Sequence, residues 1–166
     1  HESDIVPGKV NKYIGDYALK VAVSYPDAVT YFKNKDRIAQ TGQPIRKALL
    51  GIPQEDPFEA FHLERNVPII LVLGGSQGSE RINENIVDIL PQLIAKYQVL
   101  HQTGEANLDW MKRRAGGVLV DNPNAGRYRP FGFLPADQLR IAGKGATLVI
   151  SRAGSTIFEI SNWEKP

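Results

Sequence analysis

The feature that most constrains the fold is a run of five apolar residues, Ile69–Leu73, that leads directly into a glycine-rich segment, residues 74–79. After that segment in the sequence, apolar residues recur at helical spacing from Ile82 to Ile94. A short, uninterrupted apolar strand is typical of a sheet that is buried on both faces. The order of strand, glycine turn and helix therefore predicts a βα unit of a parallel sheet.

The alternation of strands and helices continues along the chain. The other predicted elements are a helix that starts at residue 11, strands at 21–24, 98–102, 117–120, 128–133 and 147–151, and helices at 107–114, 136–141 and 156–163. Residues 51–66 carry two prolines and several acids with little periodicity, and this pattern indicates a linker. Together the pattern predicts an α/β fold, a Rossmann-like parallel sheet with helices on both faces.

Length and composition limit the class of protein. At 166 residues, with 42% hydrophobic and 23% charged residues, the chain has room for one globular domain or for one domain and part of a second. It starts at His1 without a Met and ends at Pro166 within the alternating pattern, so we expect a cut piece of a longer protein. The longest apolar run, residues 67–75, is about half the length needed to cross a bilayer.

Charge and cysteine content exclude several kinds of site. Twenty basic against 18 acidic residues leave a net charge of +2, so nucleic acid is not an expected partner. The absence of cysteine excludes disulfides, thiolate metal sites and cysteine nucleophiles. The three histidines are far apart and there is no Asp-x-Asp motif, so neither a metal site nor a cofactor is expected. Basic clusters at 112–114 and at Arg127 and Arg129 are more typical of solvated surface than of a membrane patch.

The glycine turn after Leu73 contains Gly75, Ser76, Gln77 and Gly78. Backbone N–H groups at the start of the following helix, together with the Ser76 hydroxyl, would bind a phosphate. The alternative is a purely structural βα turn. Neither a P-loop nor a Gly-x-Gly-x-x-Gly fingerprint is present, so ATPase and dehydrogenase functions are disfavoured.

A second glycine turn follows the predicted strand at 147–151 and contains Gly154, Ser155 and Thr156. In a parallel sheet it would lie at the same edge as the first turn, and the two turns support each other as an anion site. Glu159 follows one helical turn later, where its carboxylate could accept hydrogen bonds from a ribose diol. The alternative for Glu159 is a solvated or capping glutamate.

These motifs, taken in order, resemble those of the MurG family, bacterial transferases that move N-acetylglucosamine from UDP onto the lipid-linked muramyl-pentapeptide precursor of peptidoglycan. The matching segments span nearly the whole chain: His1-Glu2, Asn11-Lys12, residues 42–46 (Gly-Gln-Pro-Ile-Arg), residues 71–78 (Leu-Val-Leu-Gly-Gly-Ser-Gln-Gly), and residues 151–156 (Ser-Arg-Ala-Gly-Ser-Thr) with Glu159.

The resemblance implies a fold of the GT-B type, in which two Rossmann-like domains face each other across a cleft, so that the chain is a fragment of a two-domain enzyme. Residues 1–45 would be the end of the acceptor-side domain and 46–66 the hinge or linker. Residues 67–166 would form most of the domain that binds the UDP-sugar.

The resemblance also implies residue roles. Ser76 would contact the donor diphosphate, Arg46 the nucleotide sugar, Leu134 the uracil through its backbone, and Glu159 the ribose. The family usually has His-Glu-Gln-Asn where this chain has His1-Glu2-Ser3-Asp4, so Asp4 stands where an asparagine would contact the sugar. Candidates on the acceptor side are His1, Glu2 and Asn11, and the catalytic base is expected before residue 1.

On the same resemblance, the parent protein would be an inverting, metal-independent hexosyltransferase of cell-wall synthesis. Its partners would be UDP-N-acetylglucosamine, the lipid-linked acceptor and an anionic membrane surface, which places it at the cytoplasmic face of the cell membrane. The alternatives are a related GT-B enzyme that acts on another lipid and a non-catalytic module that binds a nucleotide sugar.

Overall fold

In the computed structural model, residues 1–75 and 77–166 are described. The chain divides by its internal contacts into two compact units, residues 1–45 and 46–166, and each unit is described by itself.

The first unit contains helix α1 (Lys9–Gly15) and two parallel strands, β1 (Val21–Val23) and β2 (Ile38–Gln40). Glu2 adds a parallel bridge to Val23, with its N–H donating to the Ala22 carbonyl at 2.9 Å. A small core of Val23, Ala28 and Phe32 holds the unit together. The predicted helix and the strand after it are confirmed, although the helix begins at residue 9 and ends at residue 15.

The second unit is built on a four-stranded parallel sheet. Its strands are β3 (Ile69–Leu73), β4 (Gln98–Gln102), β5 (Tyr128–Phe131) and β6 (Leu148–Ser151), in the order β5-β4-β3-β6. Its helices are α2 (Pro57–Ala60), α3 (Glu80–Asp88), α4 (Leu90–Ile94), α5 (Leu108–Val118), α6 (Ala136–Gly145) and α7 (Thr156–Asn162). Every residue of β3 and β4 is buried, as expected for central parallel strands.

Alternate residues of β3 supply two separate cores. Ile69, Leu71 and Leu73 face one side, where α6 and α7 pack, and Ile70 and Val72 face the side covered by α3, α4 and α5. This alternation follows from the two-residue period of a strand. The predicted α/β sheet with helices on both faces is confirmed. Among the described residues, none of the helices is both long enough and apolar enough to span a membrane.

The strand predicted at 117–120 is wrong. Helix α5 continues to Val118, and Met111, Ala115 and the C-cap residue Leu119 form one buried face at a spacing of four residues. The apolar residues at its end therefore belong to a helical face, which a short apolar run cannot reveal on its own.

The segment predicted as a hinge or linker, residues 46–66, is part of the second unit. Leu49 and Phe61 are buried in its core. The Asp56 carboxylate caps α2 by accepting hydrogen bonds from the N–H groups of Phe58 and Glu59, and Pro57 occupies the first helical position. Local periodicity missed this segment because α2 is a single turn.

Candidate functional site

The candidate site lies at the carboxyl edge of the larger sheet, where the strand order reverses. From β3 the chain moves to one side for β4 and β5, and then returns to the other side for β6. Connections that diverge from adjacent parallel strands leave a crevice, and α/β proteins bind ligands at such points. Here a cleft of about 260 Å³ is lined by residues 73–75 on one side and 151–156 on the other. The structure thus brings the two predicted glycine turns together.

The wall formed by the β6–α7 turn has the donors expected of an anion site. Gly154 and Ser155 are exposed, and no described residue accepts a hydrogen bond from the N–H groups of Ser155 and Thr156. The first N–H groups of a helix have no partner within the helix. Arg152 is exposed on the same wall. The cleft therefore offers free backbone donors and one cation to a negatively charged ligand.

On the other wall, Gly75 has a φ of 89°, a conformation that favours glycine. Ser76, the predicted phosphate ligand, lies outside the described residues. Gln77 is exposed and, with Gly78, lines a second cavity of about 880 Å³ that extends toward the end of β4 and shares Arg152 with the cleft. The described residues of the first turn, Gly75, Gln77 and Gly78, therefore lie along a continuous edge rather than in one closed pocket.

Two glycines allow the β3–α3 and β4–α5 turns to touch. A Cβ atom on Gly78 would collide with the Thr103 carbonyl, and one on Gly104 would collide with the Gln77 carbonyl. Both glycines also have a positive φ, 80° and 88°. Close backbone packing therefore holds the first glycine turn against the end of β4.

Glu159 is engaged in an ion pair. Its carboxylate oxygens accept two hydrogen bonds from the Arg46 guanidinium, at 2.7 and 2.9 Å. The Glu159 side chain is 9% exposed, whereas that of Arg46 is 51% exposed. Hydrogen bonding to Glu159 raises the pKa of Arg46. The structure therefore brings together two residues that were assigned separate contacts to the nucleotide sugar, and the bidentate pair holds the Glu159 carboxylate in a fixed orientation.

Leu134, the predicted uracil contact, is buried in the β5–α6 turn. Its N–H donates to Gln102 Oε1 at 3.0 Å. The N–H is therefore already satisfied within the protein, so the predicted backbone contact to a base could involve only the carbonyl of this buried residue.

The candidates in the first unit surround a small cavity of about 90 Å³ lined in part by His1, Glu2 and Asn11. Glu2 is buried and accepts hydrogen bonds from the Asn11 side-chain amide at 3.0 Å and from the Asp4 N–H at 2.9 Å. Burial alone would raise the pKa of Glu2, but these hydrogen bonds outweigh it and lower the pKa. Glu2 and Asn11 thus hold the start of the unit together, while the side chains of His1 and Asp4 are exposed.

The structure also places His101 and Arg127 of the basic clusters. His101 is fully buried and shares a hydrogen bond with the Tyr128 hydroxyl at 3.0 Å, so it is a packed residue. Arg127 pairs with Glu64 at 2.9 Å, which fits a structural role for that basic cluster better than a membrane contact. Within the described parts of the chain, no three potential metal-ligating side chains cluster.

Sequence reasoning missed Gln102, whose side chain contacts two of the turns at this edge. It also missed Asn107 and Asn83, whose side-chain amides both donate to the Thr103 carbonyl at 3.1 Å. The position of Gln102 at the end of a buried strand was an available signal, because polar residues there lie beside the binding edge of a parallel sheet.

Residues 69–166 match the model of the glycosyltransferase family 28 C-terminal domain. The whole chain is 34% identical over 167 residues to the Bacillus anthracis protein named UDP-N-acetylglucosamine--N-acetylmuramyl-(pentapeptide) pyrophosphoryl-undecaprenol N-acetylglucosamine transferase 2. It is 35% identical over 168 residues to the transferase of that name from Clostridium botulinum strain Loch Maree. In both cases the chain spans 44% of the relative's length.

Solved structures show the same fold. The Acinetobacter baumannii MurG crystal structure matches 96% of this chain with 41% of its own, at 20% identity and a TM-score of 0.55. A Staphylococcus aureus MnaA structure with UDP matches 96% of this chain with 44% of its own, at 15% identity and a TM-score of 0.65. The Rossmann-like fold of the GT-B type, expected from the resemblance, is confirmed by these likenesses.

Proposed function

This chain belongs to glycosyltransferase family 28, and the two curated relatives described above, which it matches along its whole length, are named as transferases of the MurG type. We therefore propose that it binds the nucleotide of UDP-N-acetylglucosamine. The observation that carries the proposal is the cleft between β3 and β6, where two glycine turns face each other at the reversal point of the sheet. The free N–H groups of Ser155 and Thr156 suit a diphosphate.

The ribose is assigned to Glu159. A carboxylate held by a bidentate arginine keeps further lone pairs free, because each oxygen can accept more than one hydrogen bond. The 2′ and 3′ hydroxyls of a ribose would donate to these free lone pairs. Uracil is assigned to the Leu134 carbonyl, which can accept from the N3–H of the base. Asp4, His1, Glu2 and Asn11 remain proposals for contacts to sugar and acceptor.

For the whole protein we propose inverting transfer of N-acetylglucosamine to a lipid-linked muramyl-pentapeptide in peptidoglycan synthesis, at the cytoplasmic face of the membrane. The curated relatives carry that donor and acceptor in their names. The leaving UDP would be stabilised by backbone N–H groups and Arg152 rather than by a metal. The base that activates the acceptor hydroxyl is assigned to sequence before residue 1.

Calorimetric titration of this chain with UDP tests the donor site. We expect saturable binding, and we expect Ser76→Ala to weaken it by roughly ten- to a hundredfold, the cost of about 1.5 to 3 kcal/mol for a hydrogen bond to a charged group. Glu159→Gln should cost less, because the amide keeps an oxygen that accepts from the ribose.

Ser161→Ala is the matched control for that titration. Ser161 lies on the same helix as Glu159, and its exposed hydroxyl donates to the Ile157 carbonyl at 2.9 Å, so UDP binding should not change. Failure of the parent chain to bind UDP would contradict the proposed donor site. Unchanged binding in Ser76→Ala would contradict only the role of the first turn.

A further inference from the structure

Gln102, the last residue of β4, connects two turns through one side chain. Its Nε2 donates to the Gly75 carbonyl at 3.0 Å, and its Oε1 accepts from the Leu134 N–H at 3.0 Å. The residue is 5% exposed. Both ends of the primary amide are therefore used, one on the β3–α3 turn and the other on the β5–α6 turn.

In the proposed function, the β3–α3 turn forms one wall of the diphosphate cleft and the β5–α6 turn binds the base. They leave strands that lie on opposite sides of β4 in the sheet order β5-β4-β3. A planar amide with one donor and one acceptor fixes the separation of the groups it joins, because both hydrogen bonds need good geometry at once. Gly75 has a φ of 89°, in the region that favours glycine, and the Gln102 amide holds its carbonyl in place.

We propose that Gln102 is a positioning residue that sets the distance between the base subsite and the diphosphate subsite of the nucleotide site. This inference rests on the proposed function. A nucleoside diphosphate must reach both subsites with one covalent skeleton, so its affinity depends on their separation, whereas a nucleoside or pyrophosphate alone needs only one of them. Gln102 itself need not touch the ligand.

Two substitutions separate this role from simple stabilisation. Gln102→Met removes both hydrogen bonds at similar size, and Gln102→Glu keeps the acceptor for the Leu134 N–H while losing the donor to Gly75. The matched control is Gln98→Met at the opposite end of the same strand. Gln98 is 1% exposed and donates to the carbonyls of Glu64 and Val67 while accepting from the Glu64 N–H, so its loss also disrupts buried hydrogen bonds.

The test measures how tightly the parent chain and these three variants bind UDP, uridine and inorganic pyrophosphate. The temperature is one at which circular dichroism shows all four proteins to be folded. We expect Gln102→Met to weaken the binding of UDP by about ten- to a hundredfold. The binding of uridine and of pyrophosphate should each weaken by less than about threefold. Gln102→Glu places a carboxylate oxygen against the Gly75 carbonyl, so it should weaken UDP binding at least as much as Gln102→Met. Gln98→Met should bind UDP within about twofold of the parent, even if its stability falls as much as that of Gln102→Met.

Amide hydrogen exchange gives a second readout, because Leu134 should lose protection in Gln102→Met but keep it in Gln98→Met. The positioning role alone is overturned if Gln102→Met binds UDP within twofold of the parent. It is also overturned if Gln102→Met loses no more UDP affinity than Gln98→Met does. A parent chain that binds no UDP overturns the proposed function, and the positioning role falls with it.

Discussion

Replacing Trp163 with alanine is expected to lower the free energy of unfolding by about 3 to 5 kcal/mol, the usual cost of deleting a buried tryptophan. The side chain is 1% exposed. Its ring lies so close to Gly143 of α6 that a Cβ atom there would collide with it, and its Nε1 donates to the Leu49 carbonyl at 3.3 Å. Trp163 therefore joins the end of α7 to α6 and to the segment before α2.

Urea unfolding followed by circular dichroism measures this change, with Trp110→Ala as the matched control. Trp110 is half-buried on α5, and the guanidinium carbon of Arg114 lies 5.8 Å from the centre of its ring. Its removal should therefore lower the free energy of unfolding clearly less. Equal losses in the two variants would contradict the packing described for Trp163. Because α7 carries Glu159, Trp163→Ala should also weaken UDP binding in the folded protein.

The stability of the protein should fall as the pH drops from 7 to 5, because of His101. Burial lowers the pKa of His101 from 6.5 to about 4. The unfolded chain therefore binds a proton between pH 6.5 and pH 4 that the folded chain does not, and stability is lost as pH falls through this window. We expect a loss of about 2 kcal/mol between pH 7 and 5, and about 3 kcal/mol by pH 4.

Urea unfolding at pH 5, 6 and 7 measures this dependence. The carboxylates of Glu2, Asp56 and Glu64 have lowered pKa values and affect stability only below about pH 4.5, so they do not obscure it. His101→Leu should remove most of the dependence, whereas Tyr128→Phe should keep it because the titrating ring remains. A dependence that is unchanged in His101→Leu would rule out His101 as its source.

The sheet was predictable because its central strands carry continuous apolar runs, and the glycine turns that follow β3 and β6 mark where these strands end. The end of helix α5 near residues 117–120 was not predictable, because three consecutive apolar residues fit a strand as well as a helical face. Whether residues 46–66 pack on the sheet depends on contacts of Leu49 and Phe61 with distant residues, which local periodicity does not contain.

The site was predictable only where a short motif specifies backbone geometry. Both glycine turns were found in this way, and parallel strands necessarily bring them to one edge. The pair between Arg46 and Glu159 joins residues 113 positions apart, and the hydrogen bond from Leu134 to Gln102 joins residues 32 apart. Such pairings depend on the folded arrangement of separate elements, so side-chain spacing along the sequence could not reveal them.

The central claim is that a nucleoside diphosphate binds in the cleft between β3 and β6. Titration of the ¹⁵N-labelled chain with UDP, followed by amide chemical shifts, tests it most directly because the response is located residue by residue. We expect saturable shifts concentrated at Gly75, Ser155 and Thr156, which line the cleft. Shifts that are absent, or that cluster at the opposite edge of the sheet around Glu64 and Gln98, would contradict the account.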